Sequence, residues 1–122
     1  MEHTEKLAEE REIARKLHLI GVPANIKGYH YLIEAIKIAI ADKKSIFEIK
    51  KNIYEPVAKK FNVTARSVSS AISRAISIAW ERGELDTLQD YFSYSVAHTK
   101  GIATNSEFIS IVAERICLGF EN

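Results

Sequence analysis

The 122-residue chain has one cysteine, two prolines, five glycines, one methionine and one tryptophan, and its net charge is only +1. A single thiol, Cys117, cannot close an internal disulfide, which excludes a disulfide scaffold and fits a reducing cytoplasm. Cys117 lies in an apolar run and reads as a small core residue. No apolar run approaches the roughly 20 residues of a membrane span. The opening stretch, MEHTEKLAEEREIARKL, is charged throughout and so is not a secretory signal. His3, His18, His30 and His98 are scattered without metal-ligand spacing. Gly-rich phosphate loops and G-x-S-x-G are absent, leaving an enzyme, a metal site and a cofactor without support. The chain also lacks alternating strand patterns, internal repeats and low-complexity tracts. With 47% apolar and 27% charged residues it reads as one soluble all-α domain over residues 1–122, of about six helices.

The most informative stretch is PVAKKFNVTARSVSSAISRAISIAWERG, Pro56 to Gly83. It reads as a helix-turn-helix over residues 56–82. Pro56 suits a first helical position, and Val57 and Phe61, four apart, form an inward stripe. Asn62-Val63-Thr64 is the break, with Thr64 as N-cap of the second helix. That helix has an apolar face of Ala65, Val68, Ile72, Ala75, Ile76 and Ala79. Arg66, Ser70, Ser73 and Ser77 form the opposite stripe, flanked by Ser67 and Arg74. Gly83 follows as a C′ residue free to take a positive φ. Serine is a mediocre helix former, so several on one exposed face are not there for helix stability. An apolar back with a small, polar, weakly basic front suits a helix entering a DNA major groove.

Charge is segregated along the chain. Residues 50–83 hold seven Lys/Arg against two Glu, a balance of +5. Residues 84–122 hold two against six, and residues 1–49 balance at eight against eight. A basic middle is the footprint expected of phosphate contacts.

Elsewhere the periodicity predicts a first helix over Thr4–Leu19, with Leu7, Ala14 and Leu17 inward and Ile13 and Ile20 widening the stripe. The shaped loop GVPANIKGY leads to a second helix over Tyr29–Ala41, with Tyr29, Leu32, Ile33, Ile36 and Ile40 on one face. Ser45-Ile46-Phe47-Glu48 has capping-box form and is expected to open a third helix running to Ile53. Tyr54-Glu55-Pro56 should break or bend that helix. Leu85, Leu88, Tyr91 and Phe92 suggest a short inward-facing helix, Ser93–Ala103 a loop, and Thr104-Asn105-Ser106-Glu107 a second capping box. The last helix then places Phe108, Ile109, Ile111, Val112 and Ile116 toward the core, with Gly119 near its end. Tyr29, Tyr31, Tyr91 and Tyr94 are assigned to packing rather than to base stacking.

GVPANIKGYHYLIEAI, AKKFNVTARSV, AISIAWERG and TNSEFISIVAE, in that order, resemble the C-terminal DNA-binding effector domain of the master sporulation response regulator of endospore-forming Firmicutes. The similarity runs from about Ile20 to Glu114. It implies a six-helix domain that binds short DNA boxes, often as tandem copies, and contacts RNA polymerase. It also implies backbone contacts from Lys59, Lys60, Asn62 and Thr64. In the basic stretch, Lys50 or Lys51 is a further phosphate candidate. The family's recognition helix typically reads S-R-V-E-R-A-I-R-H-A-I, whereas this chain reads R-S-V-S-S-A-I-S-R-A-I. The arginines and glutamate become Ser67, Ser69, Ser70 and Ser73, while Arg66 and Arg74 stand at neighbouring positions. Arginine reads guanine bidentately and serine does not, so the family's target box is not carried over.

The 122 residues hold no receiver domain, and Ala103 stands where the family usually has proline. A free-standing paralogue and an excised domain both fit, the rewritten helix favouring the paralogue. The expected function is a cytoplasmic, sequence-specific DNA-binding regulator of sporulation or related developmental genes. Arg66, Ser67, Ser70, Ser73 and Arg74 would face bases. The alternative is a protein-interaction modulator of the full-length regulator or of RNA polymerase, with weak or non-specific DNA binding.

Overall fold

The computed structural model describes residues 2–92 and 101–119. The described residues form six α-helices: α1 (Glu2–Ile20), α2 (Lys27–Ala41), α3 (Glu55–Phe61), α4 (Ala65–Arg82), α5 (Leu85–Phe92) and α6 (Asn105–Leu118). A 3₁₀ segment, Lys43–Glu48, and a π-helical turn, Lys50–Tyr54, join α2 to α3. The described residues contain no strand, and the all-α expectation holds.

The central element is α2. Tyr31, Leu32, Ile33, Ala35, Ile36 and Ala39 are all buried, so apolar residues cover more than one side of the helix. A helix of that kind belongs inside the domain. It packs on both α4 and α6. The contact with α4 depends on Gly28, where a Cβ would run into the backbone carbonyl oxygen of Ala71 and lie 2.8 Å from the Ala75 Cβ. No side chain fits between the two helices there.

On α1 the inward residues are Ile13, Lys16, Leu17 and Ile20. Leu7, expected on that face, is 41% exposed. At 100° per residue Leu7 lies well round the helix from Ile13 and Ile20, so the stripe drawn through Leu7 was centred too far to one side. Lys16 is fully buried and forms an ion pair with Glu12 at 3.0 Å. Trp80 of α4, Phe92 of α5 and Phe108 of α6 form an aromatic cluster with centroid separations of 5.0–6.4 Å. Arg115 clamps α5 to α6, its guanidinium 3.9 Å from the Tyr91 ring centroid and 3.0 Å from Asp90 Oδ2.

Several local expectations are corrected. Ser45 does not cap a helix; Asp42 does so three residues earlier, accepting from the Lys44 N–H, and Ser45 is buried. The chain does not break before Pro56. Glu55 keeps right-handed helical angles and its N–H reaches back five residues to the Lys50 carbonyl. Burial of Ile53, Tyr54 and Val57 on both sides of the step outweighs the preference against helix before proline. Gly83 has a negative φ of −72°, so it is not a left-handed cap. A Cβ there would meet the carbonyl oxygens of Ile20 and Ala79, so close approach of α1 explains the glycine. Leu85 is 67% exposed, Phe61 lies at the surface against Tyr31, and Cys117 is exposed rather than in the core.

The Thr104–Glu107 capping box forms in both directions, at 3.1 and 2.8 Å. Gly119 ends α6 in the left-handed conformation. Of the predicted Ser93–Ala103 loop, residues 93–100 and Tyr94 lie outside the described residues, while Gly101–Ala103 are irregular. Gly28→Ala is expected to cost about 1–3 kcal/mol by forcing α2 and α4 apart, read as a lowered denaturation midpoint. An unchanged midpoint would show that the two helices can separate without loss.

Candidate nucleic-acid interface

α3 ends because Asn62 turns left-handed, with φ 56° and ψ 48°. Asparagine tolerates that region better than most residues. The Val63 N–H then donates to the Ala58 carbonyl at 2.9 Å, closing the helix end in the manner of a Schellman turn. Thr64 follows in an extended conformation, and its Oγ1 accepts from the Ser67 N–H at 3.0 Å. The predicted N-cap is therefore present. Its hydroxyl also donates to Ser67 Oγ at 2.9 Å, so Thr64 and Ser67 hold each other.

The direction in which α4 faces is set by burial of Val68, Ile72, Ala75, Ile76 and Ala79. Ala65 is only half-buried. Arg66, Ser67, Ser70, Ser73, Arg74 and Ser77 are all exposed on the opposite side, as the periodicity requires. The predicted base-facing residues thus share one surface, but they are not equivalent. Ser67 is engaged by the cap, and Ser73 Oγ donates to Asn105 Oδ1 at 3.0 Å. Among the described residues, no ion pair or side-chain hydrogen bond holds Arg66, Ser70 or Arg74.

The four residues proposed for phosphate lie at or just before the turn and are exposed. No ion pair with a described residue holds Lys59, whereas Lys60 Nζ is 2.9 Å from Glu34 on α2. Glu34 also meets Lys37 at 3.3 Å, and Lys37 reaches Glu10 on α1 at 2.6 Å. The hydrogen bond from Lys37 holds the Glu10 carboxyl below its ordinary value, against a smaller opposing effect of burial. Lys50 and Lys51 are exposed on the π turn before α3.

Sequence reasoning missed Glu34 and Asn105. Glu34 had a weak signal, its three-residue spacing from Lys37 on one helix. Asn105 had none, because its partners Tyr54, Ser69 and Ser73 lie 32 to 51 residues away. The described residues contain no group of three or more His, Cys, Asp or Glu able to hold a metal ion. None of the described helices is long and apolar enough to cross a membrane.

A short helix, a turn closed by a left-handed asparagine and a capped amphipathic helix with a polar, basic outer face define a helix-turn-helix domain. Residues 13–116 match the family described as sporulation initiation factor Spo0A C terminal, and the chain belongs to that family of DNA-binding sporulation-regulator domains. The sequence resemblance is thereby confirmed over its full extent. The family is regulatory rather than enzymatic.

Two outcomes follow from this geometry. Thr64→Ala should lower stability by about 1 kcal/mol through loss of the cap, while Thr64→Ser should retain most of it, both read by urea denaturation. Because the Glu10 carboxyl is lowered from 4.5, its stabilising pairing is complete above that pH and is lost as pH falls through the lowered value. Glu10→Gln should accordingly flatten the decline in stability as pH falls below 4.5. An identical decline in the variant would assign the acid sensitivity to other carboxylates.

Proposed function

We propose that this chain is a sequence-specific double-stranded-DNA-binding regulator of sporulation or a related developmental programme, acting in the cytoplasm. The observation that carries this reading is the exposed Arg/Ser face of α4, presented by a capped turn within a domain of this family. α4 enters the major groove, and Arg66, Ser67, Ser70, Ser73 and Arg74 face the bases. Lys59, Lys60, Asn62 and Thr64 lie toward phosphates, with Lys50 and Lys51 extending the basic track. Lys60 must exchange Glu34 for a phosphate oxygen when it does so, which lowers its net contribution. Tandem occupancy of DNA by two copies and contact with RNA polymerase are the partner relations the family suggests.

Two long cations separated by short hydroxyls make a reading face unlike the family's run of arginines. A bidentate arginine contact discriminates among bases by ~1–3 kcal/mol, whereas a serine hydroxyl accepts or donates to several. Sequence preference therefore rests chiefly on Arg66 and Arg74, and the preferred duplex differs from the family's box.

The direct test is fluorescence anisotropy against the family's box, a scrambled duplex and duplexes selected from a random pool, over a range of salt. Enrichment of one sequence is expected. Arg66→Ala or Arg74→Ala should change which sequence is preferred. Lys59→Ala should weaken all duplexes alike and reduce the salt slope by about one. Equal binding of every duplex with a steep salt slope would leave phosphate contact alone. Absence of binding would favour the protein-interaction reading.

A further inference from the structure

We infer that Asn105, the first residue of α6 and outside the helix-turn-helix, is a positioning residue for base reading by α4. The inference rests on the assignment of α4 to the major groove. The Asn105 amide is used from both ends. Its Nδ2 donates to Tyr54 Oη at 3.0 Å and to the Ser69 carbonyl at 3.1 Å, and its Oδ1 accepts from Ser73 Oγ at 3.0 Å. Ser69 and Ser73 are one turn apart on α4, so a single side chain grips a full turn of that helix along its edge. Tyr54, itself 8% exposed, belongs to the π turn that leads into α3. One amide therefore ties together the segment leading into the first helix of the motif, the second helix, and α6.

Asn105 is in turn fixed by its own helix. The capping box between Thr104 and Glu107 encloses it, and Phe108 and Ile109, three and four residues on, are fully buried. It is a rigid anchor, not a surface contact that follows α4 about. Directional readers must be held to about 0.5 Å and 10–20° to select one partner. The apolar underside of α4 resists its leaving the core, but Val68, Ile72 and Ala75 supply no directional bond against rotation about the helix axis. The grip at Ser69 and Ser73 supplies that restraint.

A second consequence concerns Ser73 itself. Its hydroxyl proton is spent on Asn105, so Ser73 does not donate to a base while the bond persists. Position 73 is a strut between α4 and α6, and the active readers narrow to Arg66, Ser70 and Arg74. An arginine at 73, as in the family's usual pattern, could not make this neutral bond to the asparagine oxygen in the same way. The serine-rich face is thus partly explained by internal bonding.

The test compares the wild type, Asn105→Ala and Ser73→Ala in a random-pool selection, followed by anisotropy on the selected duplex, its single-base variants and a scrambled duplex. Asn105→Ala should reduce the ratio of selected to scrambled affinity by about tenfold, roughly the loss of one base contact, with scrambled-duplex affinity and salt slope unchanged. Ser73→Ala removes one of the three bonds and should shift the ratio in the same direction with the melting temperature little changed. A folded Asn105→Ala that weakens every duplex equally, leaving the ratio unchanged, would overturn the inference. If Asn105→Ala does not fold, an unaltered ratio in Ser73→Ala overturns it. Should the wild type itself prefer no sequence, base reading by α4 fails, and this inference with it. A wild-type preference that survives both substitutions refutes only the role of Asn105.

Discussion

The fold turns on the contact between α2 and α4 at Gly28. Because a Cβ there would overlap the Ala71 carbonyl, the two helices lie backbone against side-chain stub, closer than larger residues permit. Short-range packing of this kind is unforgiving, since close-packed interiors transmit rather than absorb a misfit. That contact sets how near α4 lies to α2, while the buried stripe of α4 sets which way it faces. The small residues beneath it, Ala71, Ala75 and Ala79, allow α2 and α1 to come in under the helix. The reading face is built on small residues below as well as above.

The parts of this arrangement that were legible in the sequence are those governed by local rules. The apolar stripe of α4, the Thr64 cap and the Thr104–Glu107 capping box depend on residues three or four apart, and all are present. The misreadings share another character. Ser45 has a capping-box pattern, but Asp42 lies nearer the end of α2 and takes the cap first. Glu55 stands before proline yet stays helical, because tertiary burial of Ile53 and Val57 outweighs a preference of the dipeptide. Gly83 is a glycine for the sake of Ile20, a residue 63 positions earlier, rather than for its own φ. Cys117 shares its apolar run with Ile116 but lies round the helix at the surface. For the site, exposure was legible and engagement was not: nothing near Ser73 or Lys60 in the chain announces Asn105 or Glu34.

Electrostatics divide the lysines that the sequence treated alike. Lys59 and Lys60 are neighbours, but only Lys60 closes a chain of charges running through Glu34 and Lys37 to Glu10. This chain joins α1, α2 and α3 at one edge of the domain. Surface pairs of this kind contribute little individually, and networks contribute more. Their importance here is that the basic middle of the sequence is not a uniform field. Part of its charge is already answered by the amino-terminal helices.

The π turn at Lys50–Tyr54 gives the domain something an unbroken α-helix would lack, a place where chain length and helix phase are uncoupled. An α-helix must advance about 100° with each added residue, so inserting one upstream would swing everything beyond it off the core. The wider turn takes up that residue as local girth instead, and π-bulges of this sort recur at functional sites. Downstream of it, Val57 and Ala58 remain inward and Lys59 and Lys60 outward. The segment between the 3₁₀ turn and α3 therefore sets the phase in which the helix-turn-helix begins, with Val57 and Ala58 turned to the core.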